Sequence, residues 1–419
     1  MNKFKHIEHL DVLCNGIKVG MLTKIQGKGI YFTYDNNWLA SGFNSSPLTM
    51  AFNGKPQLAK DPRLFEGLHG PFADSLPDGW GMLLMDRFFD SKFGNGACQT
   101  MTALDRLAYI GDRGMGALEY HPETEKKEVM EYIDFSELFE ESIKVQQGET
   151  SNVLSKLRLA GGSPGGARPK AVVALSPDKR HITTAFGSIP EGYEHWIVKF
   201  RSLNEAVETG AIEFAYSEMA RTAGVHMAES ALLHVDMPDG TEEYFFATKR
   251  FDRQQNKKIH MITVSALMYA NFRFPSMNYP TLLKLTNVLT KNAKEVENVA
   301  RLMIFNALSH NYDDHTKNFA FLHNEEKEWV LSPAYDLTFS NALGEHTTGF
   351  GGNNTGRATR KRIREICSEY KYLKADDYID QTLESLSNWE NEFKRLKIPY
   401  DAGKGIFNTL ERDHDFFEK

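Results

Sequence analysis

The pattern of apolar and polar positions changes character twice along the chain. Near the start, "IKVGMLTK" and "GIYFTY" are rich in β-branched and aromatic residues, and "IQGKG" between them supplies turn residues, so a hairpin is predicted. "SLPDGWGMLLMDRFF" comes later; "PDG" punctuates it, and the apolar run that follows predicts a packed helix. In "TALDRLAYIGDRG", Leu104, Leu107, Ala108 and Ile110 form a helical stripe that Gly111 is placed to stop. "GALEY" predicts a short strand.

From about Asp134 the pattern differs. "DFSELFEESIKVQQ" predicts a helix with Asp134 at the N-cap and Glu137 at capping-box spacing. The strands "KAVVAL", "HITTAF" and "EHWIVKF" follow, then a helix from about Asn204 to Ala223 ending at Gly224, then "ESALLHV" and "EEYFFATKRF". Together they predict a small, mostly antiparallel sheet carrying one helix. Beyond Asp252 the chain turns mostly helical. "KEVENVARLMIFNALSHN" sets Val296, Val299, Leu302, Met303 and Ala307 on one face. "FAFLH" and "EWVLSP" predict a strand pair turned at "NEEK", three further helical stretches fill the C-terminus, and "GEHTTGFGGNNTG" is a loop by composition.

The length of 419 residues exceeds what one hydrophobic core usually serves, so two or three domains are expected. We place them at 1–130, 131–255 and 256–419. A net charge of −7 argues against coating nucleic acid through the overall field, though a local basic patch could still do so. No apolar run approaches the ~18 residues of a membrane span, and "MNKFKHIEHLDVL" is too polar for a signal peptide. Cys14, Cys98 and Cys367 are far apart and form neither a metal spacing nor a disulfide framework. A cytoplasmic chain is expected.

The chemistry concentrates in "SHNYDDHTKNF", Ser309 to Phe319. One reading is a metal cluster of His310, Asp313, Asp314 and His315, which needs further imidazoles such as His69, His226 or His234 and lacks a helical His-x-x-x-His spacing. The other is phosphoryl transfer. That chemistry asks for a carboxylate to orient and deprotonate a hydroxyl, oxygen ligands for magnesium, a cation on the phosphates and backbone N–H groups around them. Asp313 and Asn318 have the separation of base and metal-binding asparagine in a kinase catalytic loop. Asp336 in "LSPAYDLTF" follows a hydrophobic strand, where a kinase keeps its second metal carboxylate. Lys199 in "WIVKF" is a lone cation in an apolar strand and is expected to meet an anion, because burying an unpaired ammonium is costly. Glu213 on the following helix is its candidate partner. "AGGSPGGARPK", Ala160 to Lys170, is glycine-rich and lets backbone N–H groups approach phosphates. Each part alone has a plainer reading: a turn, a snorkelling lysine, a capping acid, or solvated Asp314 and Lys317. Their order along the chain is the stronger signal.

A second glycine-rich stretch, "GGNNTGRA", has P-loop spacing but carries Arg357 and Ala358 where Lys and Ser or Thr are needed. The basic residues Arg357, Arg360, Lys361, Arg362 and Arg364 after it suit either a solvated helix start or an anion dock.

These residues resemble the HipA family of serine/threonine kinases, toxins of HipBA-type toxin–antitoxin pairs. "YDDHTKNF" resembles the family's catalytic stretch, "SPAYDL" its metal segment, "WIVKF" its ATP lysine, "TKRFDR" its adenine hinge and "GGSPGGARPK" its phosphate loop. "YFTYDNNWL", "ADSLPDGWG" and "GALEY" resemble the domain that precedes the kinase in long members. The resemblance implies an α+β, two-lobed protein-kinase-like fold related to the phosphatidylinositol kinases, with a β-rich N-lobe, a mostly helical C-lobe and an extra N-terminal α+β domain. It implies ATP and Mg2+, with Asp313 as catalytic base and Asn318 and Asp336 on the metal. It places Gly165, Gly166, Ala167, Arg168, Pro169, Lys170, Lys199, Lys249, Arg250, Phe251, His315, Thr316, Lys317, Asn318, Tyr335 and Asp336 around ATP. Ser163 falls at the family's regulatory phosphorylation site, where phosphate would shut the enzyme off. Implied partners are a helix-turn-helix antitoxin of HipB type, operator DNA through that complex, and a protein substrate, typically an aminoacyl-tRNA synthetase; no membrane is involved. Two alternatives stay open: a kinase-shaped binding module acting in an antitoxin–DNA complex, and a small-molecule or lipid kinase.

Overall fold

The computed structural model describes residues 5–124, 132–148, 165–342, 344–351 and 357–418. By compactness the chain divides into two units, Met1–Glu205 with Leu233–Tyr269, and Ala206–Leu232 with Ala270–Lys419.

The first unit opens with the predicted hairpin. Ile17–Ile25 and Gly29–Tyr34 pair antiparallel, with Gly20 opposite Tyr34 and Ile25 opposite Gly29. Ile30, Phe32 and Tyr34 are buried and the residues between them are half-buried, the two-residue period of a strand with one face on a core. His9–Cys14 and Leu118–His121 extend this sheet on one side and Gln57–Leu58 on the other. The helices Gly79–Phe93 and Ala103–Ile110 supply Met85, Phe89, Leu104, Leu107, Ala108 and Ile110 to the same core. A reciprocal capping box starts the second helix, between Thr102 and Asp105; at the helix Phe135–Gln146, Asp134 caps by accepting the Ser136 N–H at 2.7 Å.

The second sheet runs in the order Ser230–Asp236, Glu242–Lys249, Glu194–Lys199, Lys170–Leu175, Ile182–Thr184, Tyr132–Ile133. Lys170–Leu175 is buried at all 6 positions, as a central strand covered on both faces. Phe139 on the helix Phe135–Gln146 packs on Phe200 and Phe245, with ring centroids 6.1 and 5.3 Å away. A buried charge cluster then ties the strand end to the loop at 114–116. Asp252 accepts from Arg250 at 2.9 and 2.7 Å, from Arg253 at 2.9 Å and from the Gly116 N–H at 2.7 Å. Burial alone would push the Asp252 carboxyl up; the two guanidiniums outweigh it and hold the group well below the usual carboxylate range.

In the second unit a helix begins at Thr209 rather than near Asn204, and runs to Thr222. The residues before it are held in turns, with the Glu205 carboxylate accepting the Ser202 N–H at 2.6 Å. Ala293–Leu308 buries Val296, Val299, Leu302 and Met303 as its stripe predicts, while Ala307 is only half-buried. Ala320–His323 and Trp329–Leu331 form the predicted strand pair. Among the described residues the C-terminus holds four helices where three are expected: Arg360–Ser368, Ala375–Ser387, Trp389–Arg395 and Tyr400–Phe417. Asn388 ends the second and starts the third, which lets Trp389 stack on Phe407 with centroids 3.9 Å apart. Thr348–Gly349, inside the predicted loop, pairs in parallel with Met277–Asn278. Among the described residues no helix is long and apolar enough to cross a membrane.

Candidate active site

The helix Ala293–Leu308 delivers the acidic stretch. Ser309 caps it, donating its N–H to Phe305 O at 2.8 Å, and His310 turns the chain with φ at +55°. Backbone bonds then lay the loop beside the segment after Asp336. Tyr312 N–H reaches Ser340 O at 3.0 Å and Ser340 N–H reaches His310 O at 3.0 Å. Farther on, the Tyr335 hydroxyl donates to Lys317 O at 2.6 Å.

Two neighbouring acids in this loop have opposite surroundings. Asp314 is buried, correcting the reading of it as solvated. Its Oδ2 accepts the Tyr279 hydroxyl at 2.6 Å and meets His346 Nδ1 at 2.8 Å, and its Oδ1 accepts the Thr348 N–H at 2.9 Å. Burial, then the Asp314 charge, push the Tyr279 hydroxyl well above its ordinary range, so it remains a donor. Asp314 is thus a peg that fixes the loop. The Asp313 side chain is 53% exposed, with His315 Nε2 4.0 Å from its Oδ1. Only Asp313 of the two is accessible to a reacting group.

Asn318 donates its Nδ2 to Asp313 O at 2.8 Å, which leaves its Oδ1 for a hard cation. Asp336 holds φ at +60°, a left-handed conformation that an L residue adopts at a cost of about 1–2 kcal/mol. Oxygen donors of this kind fit Mg2+. Thr316 Oγ1 and His315 Nδ1 are buried polar atoms without a hydrogen-bond partner among the described residues. Lys317 Nζ lies 4.5 Å from the centre of the Phe272 ring.

The same geometry removes the metal-cluster reading of this stretch. Both His310 ring nitrogens are taken, Nδ1 by Asp413 at 2.5 Å and Nε2 by Asn341 at 2.9 Å, and Asp314 is committed to its peg. Among the described residues, a metal-ligand grouping of His, Cys, Asp or Glu occurs instead at His234, Asp236 and Glu242, all exposed.

In the first unit, Gly165 to Lys170 leads into the strand Lys170–Leu175, and Phe200 N–H closes on Pro169 O at 2.9 Å. Lys170 is buried and turns its Nζ onto Gly165 O. Arg168 Nε lies 3.3 Å from a Glu205 carboxylate oxygen. Lys199 stands opposite Lys170 in the ladder and is 8% exposed, with its Nζ 5.5 Å from the centre of the Phe246 ring. At the strand end, Lys249 pairs with Glu194. The Arg250 guanidinium is spent on Asp252 and on Gly114 O, and its N–H goes to His195 O at 2.8 Å. Arg250 can therefore offer a ligand only its backbone carbonyl. In the second unit, Glu213 is buried on the helix Thr209–Thr222. Ser163 lies outside the described residues.

The basic stretch is largely neutralised in place. Arg360 meets Asp376, Asp380 and Glu418 at 3.1, 3.1 and 2.9 Å, and Arg364 meets Asp376 at 2.8 Å. Arg362 meets Glu365 at 3.0 Å and donates to Phe350 O at 2.9 Å. Sequence reasoning missed these pairs, and missed Tyr279 and His346 as holders of the loop; the doubled acid at 313–314 was the available signal.

Comparison with known proteins adds a frame. Residues 162–390 match the model of the HipA-like C-terminal domain, and residues 10–121 match that of the HipA N-terminal domain. A Sinorhizobium fredii protein, the provisionally named kinase Y4dM, is 28% identical over 220 residues, 48% of this chain and 53% of its own length. The match thus spans about half of that relative. Among solved structures, the Shewanella oneidensis MR-1 complex of HipA, HipB and operator DNA contains a chain aligned at TM-score 0.68 and 15% identity, covering 97% of this chain and 96% of that one. That likeness is one of fold.

Proposed function

This chain belongs to the HipA family and has its α+β kinase-like fold, and on that premise we propose that it is an ATP- and Mg2+-dependent serine/threonine protein kinase acting as the toxin of a toxin–antitoxin pair. The observation that carries the reading is the asymmetry of the acid pair: Asp314 pegs the loop and Asp313 stands half exposed beside an asparagine whose oxygen is free for a cation.

In this reading the Asp313 carboxylate accepts the proton of a substrate hydroxyl as that oxygen bonds to the γ-phosphorus of ATP, the β–γ bridging P–O bond breaks and ADP leaves. Asn318 Oδ1 and the Asp336 carboxylate would hold Mg2+, which neutralises charge on the phosphates when bound. Lys199 serves the phosphates from the sheet. The stretch Gly165 to Lys170 supplies backbone donors. Lys249 to Phe251 borders the adenine, and His315, Thr316, Lys317 and Tyr335 line the nucleotide side of the catalytic loop. The division at residues 130 and 255 belongs to the same reading, and the matched stretch 10–121 supports its first boundary.

The acceptor is a hydroxyl on a protein, with an aminoacyl-tRNA synthetase as the expected target. The Shewanella relative was solved with HipB and operator DNA, which supports a helix-turn-helix antitoxin and, through it, DNA as partners here. Phosphate on Ser163 would add about −1.5 to −2 charges next to the phosphate loop and disfavour ATP.

The test is transfer of label from γ-labelled ATP with Mg2+ to protein in a cell lysate, comparing wild type with Asp313→Ala. Loss of labelling by roughly 10²–10⁴-fold is expected. Equal labelling by both would remove Asp313 as base. Label in a lipid extract alone would replace the protein-kinase reading by a lipid-kinase one.

A further inference from the structure

The turn that starts the helix Gly79–Phe93 reaches 88 residues along the chain to the glycine-rich loop. Asp78 sits at the N-cap of that helix yet makes no side-chain capping bond to it. Its carboxylate accepts the Gly166 N–H instead. Trp80 completes the contact from the other side, donating its backbone N–H to Gly166 O at 3.1 Å and its indole Nε1–H to Lys170 O at 3.1 Å. Both backbone polar groups of Gly166 are therefore engaged by Asp78 and Trp80. Gly79 makes the approach feasible: its φ is +45°, and a Cβ there would sit 2.6 Å from Gly166 O and 2.8 Å from the Ala167 Cα.

We propose that Asp78 is a built-in competitor for nucleotide phosphate, so that the N-terminal region of this chain sets its affinity for ATP. The proposal rests on the reading of Gly165 to Lys170 as the phosphate loop. A carboxylate and a phosphate are both anionic oxygen acceptors for a loop N–H, and one N–H directed at one cannot serve the other equally. Donors are few in this loop, since Pro169 has no N–H. The negative charge of Asp78 also repels a triphosphate brought to the same glycine. Asp78 must therefore leave Gly166 before that amide can hold a phosphate.

The experiment compares wild type with Asp78→Ala, Asp78→Asn and Trp80→Phe in the full chain. Equilibrium binding of ATP, KM for ATP and kcat are measured, together with amide exchange of a peptide covering residues 165–170 in protein free of nucleotide. Thermal midpoints establish that each variant is folded. Asp78→Ala is expected to exchange faster at the loop and to bind ATP about tenfold more tightly, the scale of one hydrogen bond to a charged group, with kcat within about twofold. Asp78→Asn keeps a neutral acceptor and should fall between. Trp80→Phe keeps the carboxylate and should leave ATP affinity within about twofold.

Unchanged or weaker ATP binding in folded Asp78→Ala overturns the competition. Tightening by Trp80→Phe as large as that by Asp78→Ala overturns it as well, because loosening of the loop would then be the cause. Unaltered exchange at the loop in Asp78→Ala refutes the contact itself. If no form binds ATP while exchange still responds to Asp78→Ala, the kinase reading falls and the competition with it, leaving a structural tie.

Discussion

Tyr279 donates its hydroxyl hydrogen to Asp314 across 35 positions of sequence, at 2.6 Å and out of contact with solvent. With His346 and the Thr348 N–H, this bond fixes the loop that carries Asp313. The kinase reading proposed above needs such a fixed frame, because a base displaced by 1 Å can cost a hundredfold in rate.

The two adjacent acids should accordingly separate stability from activity. Asp314→Ala leaves the Tyr279 hydroxyl and the Thr348 N–H without their acceptor, and is expected to cost about 3 kcal/mol or more of folding free energy. Asp313→Ala is expected to leave the urea midpoint nearly unchanged while lowering phosphate transfer by roughly 10²–10⁴-fold. Equal destabilisation by both would show that the peg is not where we place it.

His69 gives a pH signature. Its Nε2 faces Gln57 O at 3.0 Å, while its buried Nδ1 has no partner among the described residues. Burial pushes its pKa from 6.5 down to about 4. The unfolded chain takes up a proton as pH falls below 6.5, and the folded chain does not until about 4. Stability from this group is complete above pH 6.5 and drains away towards pH 4, by on the order of 3 kcal/mol. Urea titrations at pH 7 and pH 4.5 should show the loss, and His69→Gln should flatten that part of the slope.

The cluster at Asp252 predicts a local failure. Asp252→Ala leaves two buried guanidiniums without their carboxylate, and is expected to destabilise by roughly 3–5 kcal/mol. Amide exchange should rise first at residues 114–116, whose backbone the same charges hold.

The basic stretch should be inert towards nucleic acid. Arg360 already faces three carboxylates. Charge reversal at Arg360 and Arg362 should leave the operator affinity of a toxin–antitoxin complex, and its salt slope, within about twofold. A fall in the slope would mean that these side chains leave their acidic partners for phosphates.

The parts of the fold that were legible in the sequence are those set by local period. The stripe Leu104, Leu107, Ala108 and Ile110 and the hairpin around "IQGKG" needed only spacing and turn chemistry. The helix break at Asn388 carried no proline or glycine, and depended on the packing of Trp389 against Phe407. For the site, order along the chain pointed to Asp313, Asn318 and Asp336. It could not say which of two identical neighbours would be buried, because that choice is made by Tyr279 and His346, which are distant in sequence. Asp78 was passed over for the same reason: turn composition explained "PDG" well enough locally, and its acceptor role lies far down the chain.

The positive φ of Asp336 sets two demands against each other. The backbone there would be eased by glycine or asparagine, whereas the magnesium-holding role proposed for this residue demands an acid. Selection for thermal robustness alone should therefore drift to a neutral residue at 336 and yield a sturdy, silent protein. In the proposed kinase, an asparagine variant made on purpose would be a natural bait for trapping the acceptor that the active form releases.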